Sequence, residues 1–349
     1  MRIQDAETRL TRALKRRLPG PDAQRLLAPR PRKGWQPGVT PEDCRHGAGL
    51  LLLYPERDDT RLLLTKRNIH LPQHAGQVSL PGGTVEENET IEQGALRVSG
   101  GTLQGTMDIR AGAVLRQAGN TAIASLNAAG DGVFEIGGKV TAGTFAGQQI
   151  DFINVTINST ASGASLQGPA DVLIRGVLDW QKGEIADVPT LSTYSSSETR
   201  LSTNDIKGLS NCRWIAGGTV EAVDRLDLTL RNGATIEIAN TGHWHQQGGG
   251  TIRDDGLSGA NEILVLGRML MTSSGGALTV EPSFTCEGTL DLAGPAVLRT
   301  QGDFLLAENG VLVGGGAANL GQNVRLSLSF TGTSVLAGTV NPDHDGGAG

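Results

Sequence analysis

The stretch from Arg67 to Arg97 contains residue types that could bind a phosphorylated ligand together with a metal ion. A glycine pair, Gly82 and Gly83, allows the backbone to turn tightly. Four glutamates follow the pair, and they are Glu86, Glu87, Glu89 and Glu92. Carboxylate oxygens are ligands of Mg²⁺, which also binds substrate phosphates. The glycine pair alone would predict an ordinary turn, so the prediction of a phosphate-and-metal site depends on the residues around it.

The spacing of these residues resembles the Nudix hydrolase family, and within it the coenzyme A pyrophosphatase branch. The Nudix box is G-x5-E-x7-R-E-U-x-E-E-x-G-U, where U is a bulky aliphatic residue, and Gly83, Glu89 and Arg97 fall at its spacings. An upstream motif, L-L-T-x-R-x-x-x-L-x-x-H-x-G-x-V-S-x-P-G-G, is also present and ends in the glycine pair. Pro72 departs from this pattern, because the branch usually carries an arginine there.

The resemblance implies a role for each matched residue. Catalysis would involve Glu89 and Arg97, and a Mg²⁺ or Mn²⁺ ion would be held by Glu89 and Glu86. The residues expected to bind substrate are Arg67, His74, Gly82 and Gly83. The substrate would be a small-molecule diphosphate, either coenzyme A or a nucleoside diphosphate derivative. The metal would neutralise charge on the diphosphate and help to make a nucleophile from water.

The acidic half of the motif is missing. The family places its main metal-binding glutamates on the helix after the glycine loop, where residues three or four apart share one face. In this chain the three positions are Val98, Gly101 and Thr102, and none of these side chains can ligate a divalent cation. A Nudix domain also needs further strands and a second long helix after the box. We therefore expect an inactive fragment; the alternative is a hydrolase whose missing carboxylates come from elsewhere.

The composition changes at the same point in the chain. Of the 50 glycines, 41 follow Arg97, whereas nine of the 14 prolines precede it. This shift favours a domain boundary near 97–101. We predict a truncated Nudix-like fragment with an N-terminal helix over residues 1–99, a repeat domain over 100–340 and a disordered tail over 341–349.

The N-terminal fragment is predicted to mix one helix with short strands. Residues 4–17 have the spacing of an amphipathic helix, with Leu10, Ala13 and Leu14 on its apolar face. Apolar runs bounded by turn residues predict strands. The predicted strands are Ala48–Tyr54, which we expect to be buried, Arg61–Thr65 and Gln77–Leu80.

After Gly100 the sequence consists of short alternating segments rich in Val, Ile, Leu and Thr, separated by Gly, Asn, Asp and Ser. This pattern predicts many short strands with tight turns. Trp180, Trp214 and Trp244 each precede a glycine turn and a short strand, and such repeats indicate a solenoid or a propeller. Irregular spacing favours the solenoid. The fold class predicted is mainly β, a β-solenoid (β-helix) preceded by an incomplete α/β Nudix fragment.

The repeat segment, roughly Gly100 to Val340, resembles the glycine- and threonine-rich β-helical repeats of large bacterial surface proteins. That resemblance implies a structural or adhesive role, with cell-surface or polysaccharide partners. Joining such repeats to a cytosolic enzyme motif also suggests a third hypothesis, a chimera of two genes. The start of the chain has no secretory signal and no run could span a bilayer. The chain as written is therefore expected in the cytoplasm, although its C-terminal part resembles exported proteins.

Other polar residues give weaker signals. His243 and His245 share one face of a strand and could ligate a metal, but no third ligand is evident nearby, so a solvated strand face is expected. Acidic residues that could cleave a polysaccharide are scattered, and they are Asp171, Asp179, Glu221 and Asp227. The net charge of −6 and the aromatic content of 3% argue against nucleic acid as a partner. The cysteines are too few and too far apart to predict disulfides or a zinc site.

Overall fold

The computed structural model describes residues 3–17, 20, 47–56, 59–66, 76–85, 97–109, 111–112, 114–158, 163–256, 259–272, 276–321, 323–326 and 339–342. These residues fall into two compact units, Met1–Arg97 and Val98–Gly349. Each unit is described by itself below. The first is a mixture of one helix and short strands, and the second is built from strands throughout its described residues.

The first unit begins with helix α1, Ile3–Leu14, whose first turn carries Asp5 and whose last turn carries Arg12. A negative charge near the N-terminus and a positive charge near the C-terminus both interact favourably with the helix dipole. The helix was predicted, but its buried face was predicted wrongly. Ala6 is the buried residue, whereas Leu14 is exposed. The helix contacts two strands, β2 (Leu53–Glu56) and β3 (Asp59–Leu62), and these neighbours decide which side is covered.

Six short strands complete the described part of this unit, and they form three antiparallel pairs. Besides β2 and β3, the strands are β1 (Gly47–Gly49), β4 (Thr65–Lys66), β5 (Val78–Ser79) and β6 (Gly82–Thr84). The pairs are β1 with β6, β2 with β3, and β4 with β5. The predicted buried strand Ala48–Tyr54 is wrong in two respects, because it is interrupted between β1 and β2 and because Leu51 is exposed.

The second unit is a β-solenoid of about ten turns. It opens with β7 (Arg97–Asp108), β8 (Val114–Ala129) and β9 (Val133–Ile136). The next four coils contain β10 (Lys139–Ala142), β11 (Gln149–Phe152), β12 (Asn154–Ile157), β13 (Ser165–Gln167), β14 (Asp171–Ile174), β15 (Val177–Trp180), β16 (Gly183–Ala186), β17 (Thr190–Thr193), β18 (Glu198–Arg200), β19 (Lys207–Ser210), β20 (Arg213–Ala216) and β21 (Thr219–Ala222). The later coils contain β22 (Leu226–Arg231), β23 (Thr235–Ile238), β24 (His243–Gln246), β25 (Gly250–Asp254), β26 (Glu262–Val265), β27 (Arg268–Met271), β28 (Ala277–Val280), β29 (Ser283–Cys286), β30 (Thr289–Leu292), β31 (Val297–Thr300), β32 (Phe304–Leu306), β33 (Val311–Val313), β34 (Ala317–Leu320), β35 (Val324–Leu326) and β36 (Thr339–Pro342).

Each coil has three strands, because every strand from β10 to β32 pairs in parallel with the strand three places further along the chain. Three faces result, which we name by their first members. Face 1 starts with β10, face 2 with β11, and face 3 with β9 followed by β12. The long strand β8 bends around the first coil, since Val114 pairs with Val133 on face 3 and Asn120 pairs with Lys139 on face 1. The predicted solenoid is confirmed.

Alternation along each strand builds the core. Most four-residue strands bury their second and fourth side chains, as β15 and β24 do, because successive side chains point to opposite faces. Stacked coils place these residues in continuous inward rows. The three repeat tryptophans lie fully inside, where the ring of Trp214 packs 6.0 Å from that of Trp180 and 5.8 Å from that of Trp244. The sequence repeat therefore marks the centre of the core.

The corner between face 1 and face 2 is made by residues with positive φ. Asp187, Asn211 and Asn232 occupy this corner in successive coils, with φ values of 55°, 46° and 55°. Asn and Asp tolerate this left-handed conformation better than other residues with a side chain. The Asn211 amide donates to the Asp187 carboxylate at 2.9 Å, and the Asn232 amide donates to the Ser210 hydroxyl at 2.9 Å. These contacts tie each corner to the previous coil.

Candidate functional site

The glycine pair of the Nudix-like motif lies in strand β6. Gly82 pairs with Gly49 and Gly83 pairs with Ala48 across the β1–β6 ladder. A Cβ atom on Gly82 would overlap the Ala48 carbonyl, and its φ of 157° is uncommon for residues with a side chain. The Leu50 N–H also donates to the Pro81 carbonyl at 2.7 Å. Glycine is therefore required at position 82 by close backbone approach.

The remaining residues of the predicted site are described only in part. Four of them lie outside the described residues, and these are Arg67, His74, Glu86 and Glu89. Arg97 is the first residue of β7, so its backbone is extended. The proposed roles of these residues in substrate and metal binding stay predictions.

The positions at which the family carries its glutamates lie in strand β7. Val98, Gly101 and Thr102 are all in this extended segment, Arg97–Asp108. An extended chain rises about 3.3 Å per residue, so positions three or four apart are about 10–13 Å apart there and are not neighbours as they are on a helix. Within the described ranges, no group of three His, Cys, Asp or Glu side chains is placed to hold a metal ion. The residues present at these positions do not fit the divalent metal of the family.

Face 3 of the solenoid gathers polar residues that the sequence leaves far apart. Its outward row runs from Asp179 to Arg200, Glu221 and His245, each in register with the next. Arg200 donates two hydrogen bonds to Glu198, at 2.6 and 2.9 Å, and these bonds lower the pKa of the Glu198 carboxyl. Of the four acidic residues that are scattered in the sequence, Asp179 and Glu221 therefore lie in the same row. Asp171 and Asp227 lie on faces 2 and 1.

His243 and His245 point outward from β24, as predicted, but His245 bonds to protein groups. Its Nδ1 lies 3.1 Å from the Glu221 carboxylate, and its Nε2 lies 2.9 Å from the Thr272 hydroxyl. Thr272 directly follows β27. Sequence analysis did not single out Thr272, because the only signal is its position two residues after Leu270, which is the register partner of His245.

A buried lysine is a second feature that sequence analysis missed. Lys207 occupies an inward position at the start of β19 and is fully buried. Its ammonium group donates to the carbonyls of Thr203 and Asp205, each at 3.1 Å. Burial lowers the pKa of Lys207 to about 8, although nearby aspartates, Asp205 and Asp179 foremost, oppose the shift. The buried ammonium thereby anchors the loop between β18 and β19 through these two hydrogen bonds.

The described residues include no helix that is both long and apolar enough to cross a membrane. Helix α1 covers Ile3–Leu14.

Comparison with known proteins concerns the N-terminal part of the chain. A family model described as the NUDIX domain matches residues 45–98. A protein of Escherichia fergusonii named uncharacterized Nudix hydrolase NudL is 43% identical over 56 residues, which are 16% of this chain and 29% of that protein. A protein of the same name from Escherichia coli O1:K1 is 41% identical over 64 residues, which are 18% of this chain and 33% of that protein.

The chain therefore spans about a third of the length of the curated relatives it matches. No solved structure matches the chain significantly. The match to the family model ends at residue 98, the second residue of strand β7. The chain thus carries a NUDIX-domain segment at residues 45–98 followed by a β-solenoid.

Proposed function

We propose that this chain is a structural, adhesive β-solenoid of the bacterial surface-protein type and that its Nudix segment does not hydrolyse diphosphates. The lack of hydrolysis is proposed from one observation. Strand β7 has Val98, Gly101 and Thr102 at the positions where the family has glutamates on a helix. A diphosphate carries several negative charges, and its hydrolysis depends on metal ions that neutralise them. Without the main carboxylates, Glu86 and Glu89 would bind such an ion weakly.

The adhesive role is supported by the regular outer surface of the solenoid. Adjacent strands in a sheet lie about 4.8 Å apart, so side chains on one face repeat at this interval along the solenoid. Charged pairs bridge neighbouring coils, such as Arg268 with Asp291 at 2.6 Å and Arg175 with Asp151 at 2.6 Å. Extended solenoid surfaces suit extended ligands, and we propose a cell-surface polysaccharide as the partner.

The hydrolase part of the proposal is tested with the full chain, coenzyme A or ADP-ribose, and Mg²⁺ or Mn²⁺. We expect no release of products above the level of a Glu89→Gln variant. Turnover that this substitution abolishes would overturn the proposal and favour the alternative, a metal-dependent Nudix hydrolase. The match at residues 45–98 supports that alternative. Its carboxylates would then have to come from residues outside the part of the chain that the structure describes.

The adhesive part is tested by sedimenting the full chain with insoluble polysaccharides, using serum albumin as the control protein. Retention above the albumin level is expected, and equal retention would contradict an adhesive role. Location separates the two candidates further, because an adhesin must reach the cell surface whereas a coenzyme A hydrolase works in the cytoplasm. A chimeric origin stays a hypothesis, and sequencing fresh genomic DNA across the codons for Arg97 to Gly101 tests it.

A further inference from the structure

We propose that Glu221, His245 and Thr272 form a nucleophilic site on face 3, in which the Thr272 hydroxyl accepts the acyl group of a small carboxylic ester. The inference goes beyond the adhesive role and does not involve the Nudix segment. Glu221 lies in β21 and His245 in β24, while Thr272 directly follows β27. Three consecutive coils therefore contribute one residue each, and the parallel register brings them together.

The three side chains form a continuous relay. A Glu221 carboxylate oxygen, Oε2, lies 3.1 Å from His245 Nδ1. On the opposite side of the ring, His245 Nε2 lies 2.9 Å from Thr272 Oγ1. A hydroxyl is a weak nucleophile until a neighbouring base removes its proton, and the base in turn needs a group that orients it. The order carboxylate, imidazole and hydroxyl meets both requirements.

The Glu221 carboxylate, rather than the Gln247 amide, indicates which ring nitrogen carries the proton. The Gln247 amide nitrogen donates to Glu221 Oε2 at 2.9 Å and lies 3.3 Å from His245 Nδ1. The carboxylate oxygen is the nearer partner of Nδ1, and it can only accept. We therefore assign the proton to Nδ1, which lies 3.1 Å from the Glu221 carboxylate oxygen. The lone pair of Nε2 then accepts the hydrogen bond from the Thr272 hydroxyl, which is the arrangement that a general base needs.

The hydroxyl is both fixed and accessible. The Thr272 N–H donates to the Gln246 carbonyl at 2.9 Å, which extends the ladder between β24 and β27 by one bond. Thr272 is exposed, and the side chains of His245 and Glu221 keep 29% and 26% of their surface exposed. Among the described residues, all three side chains thus have surface that a small solute can contact. Leu270, the half-buried register partner of His245, offers apolar contact to a short acyl chain.

The reaction follows from these positions. Thr272 Oγ1 attacks the ester carbonyl carbon while its proton passes to His245 Nε2. The bond from the carbonyl carbon to the leaving oxygen then breaks, and the proton on Nε2 passes to the departing alkoxide. The acyl group is now an ester of Thr272. Water attacks this ester in the same way, with its proton passing through His245, and releases a carboxylic acid and the free threonine.

The test uses the full chain and p-nitrophenyl acetate as the probe. Release of p-nitrophenol is followed optically, and the site of acetylation is located by peptide mass spectrometry after acid quenching. We expect acetyl-Thr272 in the wild type. Replacing His245 by Gln is expected to lower the acetylation rate about 100-fold, the lower end of what general base catalysis contributes. His243→Gln is the matched control, because His243 is on the same strand and face, and it should leave the rate unchanged.

Three further variants separate the roles. Thr272→Ser should keep the acetylation while Thr272→Ala removes it, and both changes are at an exposed side chain that the fold does not need. Glu221 is a positioning residue, so Glu221→Gln should lower the maximal rate without changing the half-saturating ester concentration. Acetylation of lysines alone, an unchanged rate in His245→Gln, or full turnover in Thr272→Ala would each overturn the proposal. The last result would show that Thr272 is not the nucleophile.

Discussion

Replacing Lys207 by Met should change how the stability of the solenoid depends on pH. In the folded chain the Lys207 ammonium is buried and donates to the carbonyls of Thr203 and Asp205, and its pKa falls from 10.5 to about 8. Below pH 8 the lysine is protonated in both states, so the folded state bears the full cost of the buried charge. Above pH 10.5 it is neutral in both states and the cost is gone.

Between these values the unfolded chain binds more protons than the folded chain, so stability rises with pH. One pKa unit corresponds to about 1.36 kcal/mol. The wild type should therefore gain up to about 3 kcal/mol over Lys207→Met across this window, an upper bound because solvent near the loop screens the charge. Comparing the two proteins cancels the titration of all other groups.

The measurement is urea unfolding of both proteins, followed by circular dichroism from below pH 8 to pH 10.5. Lys182→Met is the matched control, because this lysine pairs with Asp205 at 3.6 Å but remains 45% exposed. The control measures the effect of replacing a partly exposed lysine beside the same loop. A Lys207→Met offset that is constant with pH would refute the reasoning, since it would mean that the folded lysine keeps its ordinary pKa.

Three other predictions concern the core. Trp214→Ala should cost about 3–5 kcal/mol, measured by urea unfolding, because it empties the centre of the tryptophan stack. Gly250→Ala should destabilise clearly, since its φ is 141° and a Cβ would overlap a backbone carbonyl, whereas Gly315→Ala, with open space around it, should change the midpoint little. Burial raises the pKa of the Cys212 and Cys286 thiols to about 12, so iodoacetamide at pH 8 should label them only after unfolding. Rapid labelling of either of these two residues in the native chain, located by peptide mass spectrometry, would contradict their burial.

The sequence predicted the solenoid because its determinants are local. Alternation with a period of two and turn residues at short intervals are visible in any single coil, as in Val177–Trp180. The repeated order of Trp, glycine turn and strand further predicted that such coils stack on one another. The number of strands per coil could not be predicted in the same way, because it depends on which turns become corners. Asn211 and Asn232 mark such corners only once their positive φ is known.

The site on face 3 could not be predicted because it depends on register between coils. Glu221 and His245 are neighbours since the corners between β21 and β24 have the lengths that align them, and Thr272 follows from the next coil. In the first unit the predicted burial was wrong for another reason. An apolar run such as the one near Leu51 predicts burial only if a neighbour covers it, and Leu51 is exposed.

The Nudix motif passes at Arg97 into an extended solenoid strand. Arg97 and Val98 form the only Arg–Val pair in the sequence, so labelling arginine carbonyls with ¹³C and valine nitrogens with ¹⁵N isolates this peptide bond in an NMR spectrum. We predict that the Arg97 carbonyl resonates at the upfield position typical of a strand. A downfield, helical shift would contradict the account, because it would restore the helix on which the family carries its metal-binding carboxylates.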